Sequence, residues 1–178
     1  MPETKNLQNY HDLLTRVDQL CAAITARLKG HLVCHKGCDL CCRHLSLFPV
    51  EAEAMAGAVA ALPAPQQETL RLRALNAEPD GPCPLLENHA CLIYHARPII
   101  CRTHGLPVLS RINGQAMVDF CPQNCQNLDT LSGDRMIDID RLNAALAAVN
   151  AVFLKQADDV RVDRWQRLTI ARMILDVT

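Results

Sequence analysis

The stretch Cys34-His-Lys-Gly-Cys38-Asp-Leu-Cys41-Cys42 decides how the fold is organised, because it places four cysteines within nine residues. Short loops that carry cysteines a few residues apart let several thiolates reach one metal without backbone strain. Gly37 lies inside the loop and suits the tight turn that such wrapping demands. Since zinc and iron–sulfur clusters both take thiolate ligands, this stretch predicts a metal site.

Five more cysteines extend the pattern over the middle of the chain. Nine are too many for one tetrahedral site, so we expect two centres, or one cluster and one zinc ion. Adjacent Cα atoms are ~3.8 Å apart and successive side chains of extended backbone point away from each other. Cys41 and Cys42 are therefore expected to face different centres, or to include one packed, non-ligating thiol. The predicted metal ligands are Cys34, Cys38, Cys41, Cys42, Cys83, Cys91, Cys101, Cys121 and Cys125.

Packing is the alternative role for each thiol, because free cysteine is often buried as a small hydrophobe. Cys21 lies on the apolar stripe of the first predicted helix and is expected in the core. For Cys34, Cys38 and Cys42 the loop spacing favours ligation. The isolated C-x3-C pair at the end of the zone is equally consistent with either role.

Six of the seven histidines also fall in or beside this zone. A single histidine is more often a hydrogen-bond donor beside a metal site than a ligand. His44, just after the first cysteine block, and His104, shortly after Cys101, are the first candidates for an imidazole ligand. Arg97 and Arg102 flank Cys101, where their charge would lower a thiol pKa or form ordinary ion pairs.

The composition fits one domain and excludes several classes of partner. The chain has 178 residues, 49 % of them apolar, enough for a single core. Its formal net charge of −1, with both signs mixed throughout, lacks the basic footprint of a nucleic-acid-binding protein. The polar start predicts no secretory signal, and no apolar run approaches the ~20 residues of a membrane span. We therefore expect a cytoplasmic protein whose reduced thiols bind metal rather than form disulfides.

Apolar side chains recur with the helical period at both ends of the chain. Three- and four-residue steps predict an N-terminal helix over about 4–29, followed by Gly30 at its C-cap. Two further helices are predicted over about 140–155 and 163–176. Each has its own apolar face, so we expect the three terminal helices to pack together.

The middle of the chain is a cysteine-rich zone interrupted by a helical insert. Pro49 suits the first turn of a helix to about residue 61, and a second helix is predicted over 65–76. Asn113-Gly114 between two apolar runs predicts a β-hairpin. The predicted fold is mainly α, with helices packed around a Cys-rich, loop-rich metal core with one or two short β-hairpins. The predicted single domain, 1–178, comprises an N-terminal helix over 4–30, a cysteine-cluster core over 34–125 with the insert 49–76, and C-terminal helices over 138–178.

The ordered blocks of the zone are Cys34-x3-Cys38-x2-Cys41-Cys42, Cys83-Pro-Leu-Leu, Cys91-Leu-Ile-Tyr94 and Arg97-Pro-Ile-Ile-Cys101-Arg102. They resemble the YkgJ-type cysteine-cluster family, whose domain is described as a zinc- or iron-chelating module with a C-x-x-C-x-x-C-C motif. The resemblance covers about residues 34–125 and implies metal or iron–sulfur binding by the cysteine block. Here the first gap is three residues rather than two, and His104 stands where relatives tend to carry an aromatic residue. A similar block occurs in the longer flagellin lysine N-methylases, but no glycine-rich nucleotide fingerprint supports a methyl-donor site in this sequence.

Three functions fit this pattern. The first is an iron–sulfur protein, most consistent with a 4Fe–4S cluster, acting as an electron carrier or oxidoreductase component. The second is a non-catalytic, zinc-stapled module that presents its helices to a protein partner, and the third is metal trafficking or chelation. The number of cysteines and their few acidic neighbours favour the first. No catalytic set is evident, since Glu51 and Glu53 are expected to be solvated on different sides of their helix, so enzymatic activity stays open.

Overall fold

The computed structural model describes residues 6–35, 37–128, 130–156 and 166–178. Within these ranges the fold is mainly α, as predicted, and no helix there has the length and apolar character of a bilayer span. The helices are α1 (Gln8–Arg27), α2 (Pro49–Ala60), α3 (Ala64–Leu75), α4 (Ile99–Thr103), α5 (Ile139–Gln156) and α6 (Ile170–Val177). The strands are β1 (Ser46–Leu47), β2 (Leu86–Glu87), β3 (Ala90–Cys91), β4 (Val108–Ile112), β5 (Gln115–Asp119), β6 (Ile137–Asp138) and β7 (Leu168–Thr169).

Helix α1 buries one stripe of side chains, as its apolar period predicts. Tyr10, Val17 and Ile24 are spaced seven residues apart and are all buried. Through this stripe α1 packs against α4 and α5. Gly30 follows the helix with φ of +85°, a left-handed conformation that glycine adopts without strain. The predicted start at residue 4 lies outside the described residues.

Helices α2 and α3 form the predicted insert, and Pro49 is the first residue of α2. The expectation that Glu51 is solvated is wrong, because this residue is only 2 % exposed. Its carboxylate accepts hydrogen bonds from the backbone N–H groups of Phe48 and Ile99, each at 3.1 Å. Those N–H groups lie at the starts of α2 and α4, where intrahelical acceptors are lacking. Glu51 therefore joins the two helix starts, even though burial raises its pKa.

Replacement of Glu51 by Ala is expected to lower the free energy of unfolding by about 2–3 kcal/mol, because two buried N–H groups lose their acceptor. Urea denaturation followed by circular dichroism measures the change. Glu68→Ala on α3 is the matched control, since that carboxylate pairs with Arg71 at the protein surface and its loss should change little. Equal stability of Glu51→Ala and the wild type would contradict the proposed joining of helix starts.

Two β-hairpins are present in the described residues, within the predicted number. Strands β4 and β5 pair around Asn113 and Gly114, whose φ values of +52° and +78° are those of a type I′ turn. Strands β2 and β3 turn at Asn88 and His89, also with positive φ. This second hairpin ends at Cys91 and so carries one of the predicted ligands.

Two strand pairings that the sequence did not predict join segments distant along the chain. Strand β6 lies parallel to β4, and β1 pairs antiparallel with β7. Because β7 occupies residues 168–169, the last helix begins at Ile170 and not at residue 163 as predicted. The hydroxyl of Thr169 accepts a hydrogen bond from the backbone N–H of Arg172 (3.1 Å) and caps α6. Residues 163–165 of the predicted helix lie outside the described residues.

The apolar core of the described residues consists of two clusters. The first is built mainly around α1 and α5, and the second around α2, α3 and α6. The expectation that the three terminal helices pack together is therefore correct for α1 and α5 but wrong for α6, which packs against α2 and α3. Cys83 and Cys91 contact the second cluster, so this cluster supports one side of the cysteine-rich region.

Candidate metal centre

Seven of the nine predicted ligands line one cavity of ≈ 650 Å³. They come from four separate segments: the loop before β1, the turn before β2, the end of β3, and α4. The fold thus brings together thiols up to 67 positions apart (101 − 34). The seven are Cys34, Cys38, Cys41, Cys42, Cys83, Cys91 and Cys101.

Local turns shape the first cysteine loop. The backbone N–H of Cys38 donates to the carbonyl of His35 (3.1 Å), and that of Cys42 donates to the carbonyl of Asp39 (2.8 Å). The side chain of Asp39 lies 2.9 Å from Nδ1 of His89 in the β2–β3 hairpin. These contacts hold the loop against the hairpin.

The β2–β3 hairpin region positions Cys83 and Cys91. The backbone N–H of Cys83 donates to the carbonyl of Cys42 (3.1 Å), which joins the start of the hairpin to the first loop. Two further backbone N–H groups act on sulfurs of the predicted ligand set, that of Leu85 on Cys83 and that of Ile93 on Cys91, and each hydrogen bond acts to lower the pKa of its thiol. Both sulfurs therefore have a fixed hydrogen-bond donor two residues further along the chain.

Helix α4 carries Cys101, and Arg102 anchors this helix. The Arg102 guanidinium donates to the carbonyls of Arg97 (2.7 Å) and His95 (2.8 Å). It also pairs with Asp18 of α1 at 2.7 Å. Of the two roles predicted for Arg102, ion pairing is the one that its contacts show.

Arg97 lines the cavity, and its positive charge acts on several of the thiols. Its guanidinium lies 3.6 Å from the centre of the Tyr94 ring and donates to the carbonyl of Cys101 (3.4 Å). As predicted for a flanking arginine, its charge acts to lower the pKa of Cys42, Cys91 and Cys101. Burial has the larger, opposite effect on all three thiols.

Cys42, Cys83, Cys91 and Cys101, here called the inner set, are half-buried thiols of this cavity. Burial raises the pKa of Cys83 and Cys101 to about 12, and it raises the pKa of the other two thiols as well. Negative charge on neighbouring sulfurs of the set adds to this shift for Cys42, Cys83 and Cys101. Such thiols ionise together only when a cation lies among them, as in a metal site.

Cys34, Cys38 and Cys41, here called the outer set, come from the first loop and line the same cavity; Cys34 and Cys41 are exposed and Cys38 is half-buried. Burial raises the pKa of Cys41, and the charges of Cys42, Cys34 and Cys38 raise it further. The two sets meet at Cys41 and Cys42, which are adjacent in the chain. The charge of Cys42 acts on Cys41 more strongly than that of Cys34 or Cys38, so the two sets are coupled at this pair. The sets differ in origin, since the outer set comes from the first loop alone and the inner set from four segments.

Asn124, which the sequence analysis did not single out, positions Cys34. This residue is fully buried, and its Nδ2 donates both to Sγ of Cys34 (3.3 Å) and to the carbonyl of Gly105 (2.7 Å). Its Oδ1 accepts from the backbone N–H of Val33 (2.9 Å). A Cβ at Gly105 would lie 2.9 Å from the Cys34 sulfur, so glycine is required there. The position of Asn124 between the two cysteines of the C-x3-C pair is the sequence signal that could have identified it.

A family model covers the segment that carries all these thiols. It is described as "CxxCxxCC: Putative zinc- or iron-chelating domain" and matches residues 33–130, more than half of the chain. The chain belongs to this family. Its membership supports metal binding by the cysteine cluster, with zinc and iron both within the family description. Searches of curated proteins and of solved structures gave no match.

Two cysteines inside the zinc- or iron-chelating family match do not line the cavity. Cys125 is 4 % exposed and packs in the first apolar cluster, and its backbone N–H donates to the carbonyl of His31 (2.7 Å). Cys121 lies close to Gly105, outside the cavity lining. Cys21 packs against the first cluster, as predicted. Metal ligation by the C-x3-C pair stays a prediction.

The two histidines singled out from the sequence have different environments. His44 uses both ring nitrogens within the fold, because Nε2 accepts from the backbone N–H of Ala171 (3.2 Å) and Nδ1 donates to the carbonyl of Glu78 (3.0 Å). His104 lines the cavity, and its buried Nε2 has no hydrogen-bond partner among the described residues. Burial lowers the pKa of His104, which favours the neutral, metal-binding form of the ring.

The chemistry of the donor set fits the metals of the zinc- or iron-chelating family. Thiolate and imidazole are zinc ligands, and thiolates hold iron–sulfur clusters. In the described part of the chain, no three Cys, His, Asp or Glu side chains are close enough together to hold an ion as they stand. Metal binding therefore requires the sulfurs to move inward until metal–sulfur distances reach ~2.3 Å.

Proposed function

We propose that the inner set binds an iron–sulfur cluster of the 4Fe–4S type and that the protein has a redox role, as an electron carrier or a component of an oxidoreductase. The observation that carries this proposal is the meeting of these four thiols, from four segments, in one cavity. Four cysteine thiolates are the usual ligands of such a cluster. When bound, the cluster supplies one-electron transfer.

The hydrogen bonds to the ligand sulfurs support a redox centre. The backbone N–H groups of Leu85 and Ile93 donate to sulfurs of the inner set, and both donor residues have buried side chains. Hydrogen bonds to ligand sulfurs and nearby charge are two of the means by which proteins set the potential of a cluster. The Arg97 guanidinium supplies such a charge.

The volume of the cavity also favours more than one small ion. At ≈ 650 Å³ the space is many times the ~30 Å³ share of one water molecule in the liquid. A reducing compartment, the cytoplasm, would keep the ligand thiols available for metal. We propose a protein as the redox partner, because the net charge of −1 offers no general attraction for nucleic acid.

Anaerobic purification of the full chain tests the proposed cluster. We expect a brown protein with broad visible absorbance, about four iron and about four sulfide per chain, and bleaching on addition of a strong reductant. Metal analysis, sulfide assay and electron paramagnetic resonance of the reduced sample measure these properties. A colourless protein that contains only zinc would overturn the proposal and favour a zinc-stapled interaction module.

A further inference from the structure

His104 has a feature that the inner set does not explain. Its Nε2 and the hydroxyl of Tyr10 are the buried side-chain nitrogen and oxygen atoms without a hydrogen-bond partner among the described residues. Of the two residues, only His104 lines the cysteine cavity. A buried polar atom that lacks a partner is costly, and an unseen ion or water is a common explanation.

The fold places the His104 turn against the outer set. Helix α4 ends at Thr103, and His104 and Gly105 follow it directly. Gly105 is in such close contact with Cys34 that a Cβ there would lie 2.9 Å from Sγ. The side-chain amide of Asn124 donates hydrogen bonds to both partners of this contact, the carbonyl of Gly105 and the Cys34 sulfur. The residue that directly follows His104 is therefore in contact with the first cysteine of the outer set.

The outer set by itself is one ligand short of a closed zinc site. Cys34, Cys38 and Cys41 line the same cavity as His104, and the charges of Cys34 and Cys38 both act on Cys41. Structural zinc sites are four-coordinate, and three cysteines with one histidine form one of their standard ligand sets. Three thiolates and an imidazole would complete this coordination without taking a ligand from the inner set.

We propose that Nε2 of His104 is the fourth ligand of a second metal centre, a single zinc ion bound by Cys34, Cys38 and Cys41. This inference rests on the proposed function, because it assigns the inner set to the iron–sulfur cluster. On binding, each of the three thiols releases its proton to water, while the neutral imidazole keeps its proton on Nδ1 and donates the Nε2 lone pair. The zinc then ties the first loop to the end of α4.

Metal analysis of the anaerobically purified full chain and of His104 variants tests the second centre. For the wild type we expect about one zinc per chain in addition to the cluster iron. His104→Ala should weaken zinc binding by about 100-fold or more, measured by competition with a chromogenic chelator, since loss of even a supporting residue costs ~10–100-fold. Iron and sulfide content should not change. His104→Cys should restore zinc binding, and with Co²⁺ as the probe its spectrum should shift towards that of four thiolates.

His95→Ala is the matched control, because the His95 side chain is exposed and lies outside the cavity lining. This variant should bind zinc as the wild type does, and thermal melts check that every variant is folded. Wild-type zinc affinity in His104→Ala would overturn the inference. A wild-type protein with iron but no zinc would overturn it and leave the proposed cluster intact. Zinc bound in a His104-dependent way by a protein without iron would support the second centre and overturn the cluster.

Discussion

Cys42→Ser is expected to abolish the iron–sulfur chromophore, whereas Cys41→Ser leaves it in place. The two residues are adjacent and the charge of Cys42 raises the pKa of Cys41, but the pKa of Cys42 also responds to Cys91 of the inner set and that of Cys41 to Cys34 and Cys38 of the outer set. Loss of a cluster ligand should lower the iron and sulfide per chain by at least about tenfold, since even loss of a supporting residue costs ~10–100-fold in metal affinity. Visible absorbance with iron and sulfide assays on anaerobically purified protein measures the difference.

Controls for this pair come from cysteines outside the cavity. Cys125→Ala and Cys21→Ala alter thiols that pack with the first apolar cluster, so both variants should keep the iron content of the wild type. The Cys125 variant also tests directly whether the C-x3-C pair contributes a ligand. Equal iron loss in the Cys41 and Cys42 variants would show that the seven thiols form one centre and contradict their division into two sets.

Removal of the metal is expected to unfold the middle of the chain before its ends. The segment 78–126 is rich in turns and short strands, while α1 and α5 pack through their own apolar faces. Structural zinc contributes ~10–16 kcal/mol of folding free energy in small peptides, so its loss should be decisive for a loop-rich segment. Chelated protein should keep most of its helical circular dichroism and yet become sensitive to protease between Glu78 and Gln126.

Limited trypsin digestion with mapped cut sites measures this effect. Arg102 is the reporter, because its side chain is 12 % exposed and anchors α4 in the intact fold. Arg16 and Arg141 are exposed but lie within α1 and α5, so cleavage after them should change little. Cleavage after Arg102 should rise at least about tenfold on chelation under reducing conditions. A uniform rise at all three sites, or no rise at any, would rule out the metal as the organiser of this segment.

The sequence by itself determined the elements that depend on near neighbours. The period of Tyr10, Val17 and Ile24 predicted α1, since residues on one helix face recur every three or four positions. Pro49 and the Asn113-Gly114 pair predicted the start of α2 and the β4–β5 turn through their own backbone preferences. The spacing of the cysteines predicted membership of a metal-chelating family, because that spacing is itself the family motif.

Only the tertiary structure decided which side chains meet. It buried Glu51 between two helix starts. It also gave both ring nitrogens of His44 a hydrogen-bond partner, one of which is the backbone N–H of a residue 127 positions away. It placed Asn124 beside Cys34 across 90 positions and kept Cys125 in the apolar core. The physical reason is that spacing along a chain constrains contacts only between near neighbours, within one or two turns of a helix or along a single strand. Whether a distant polar group becomes a cap, a partner or a candidate ligand depends on which apolar faces pack together around it.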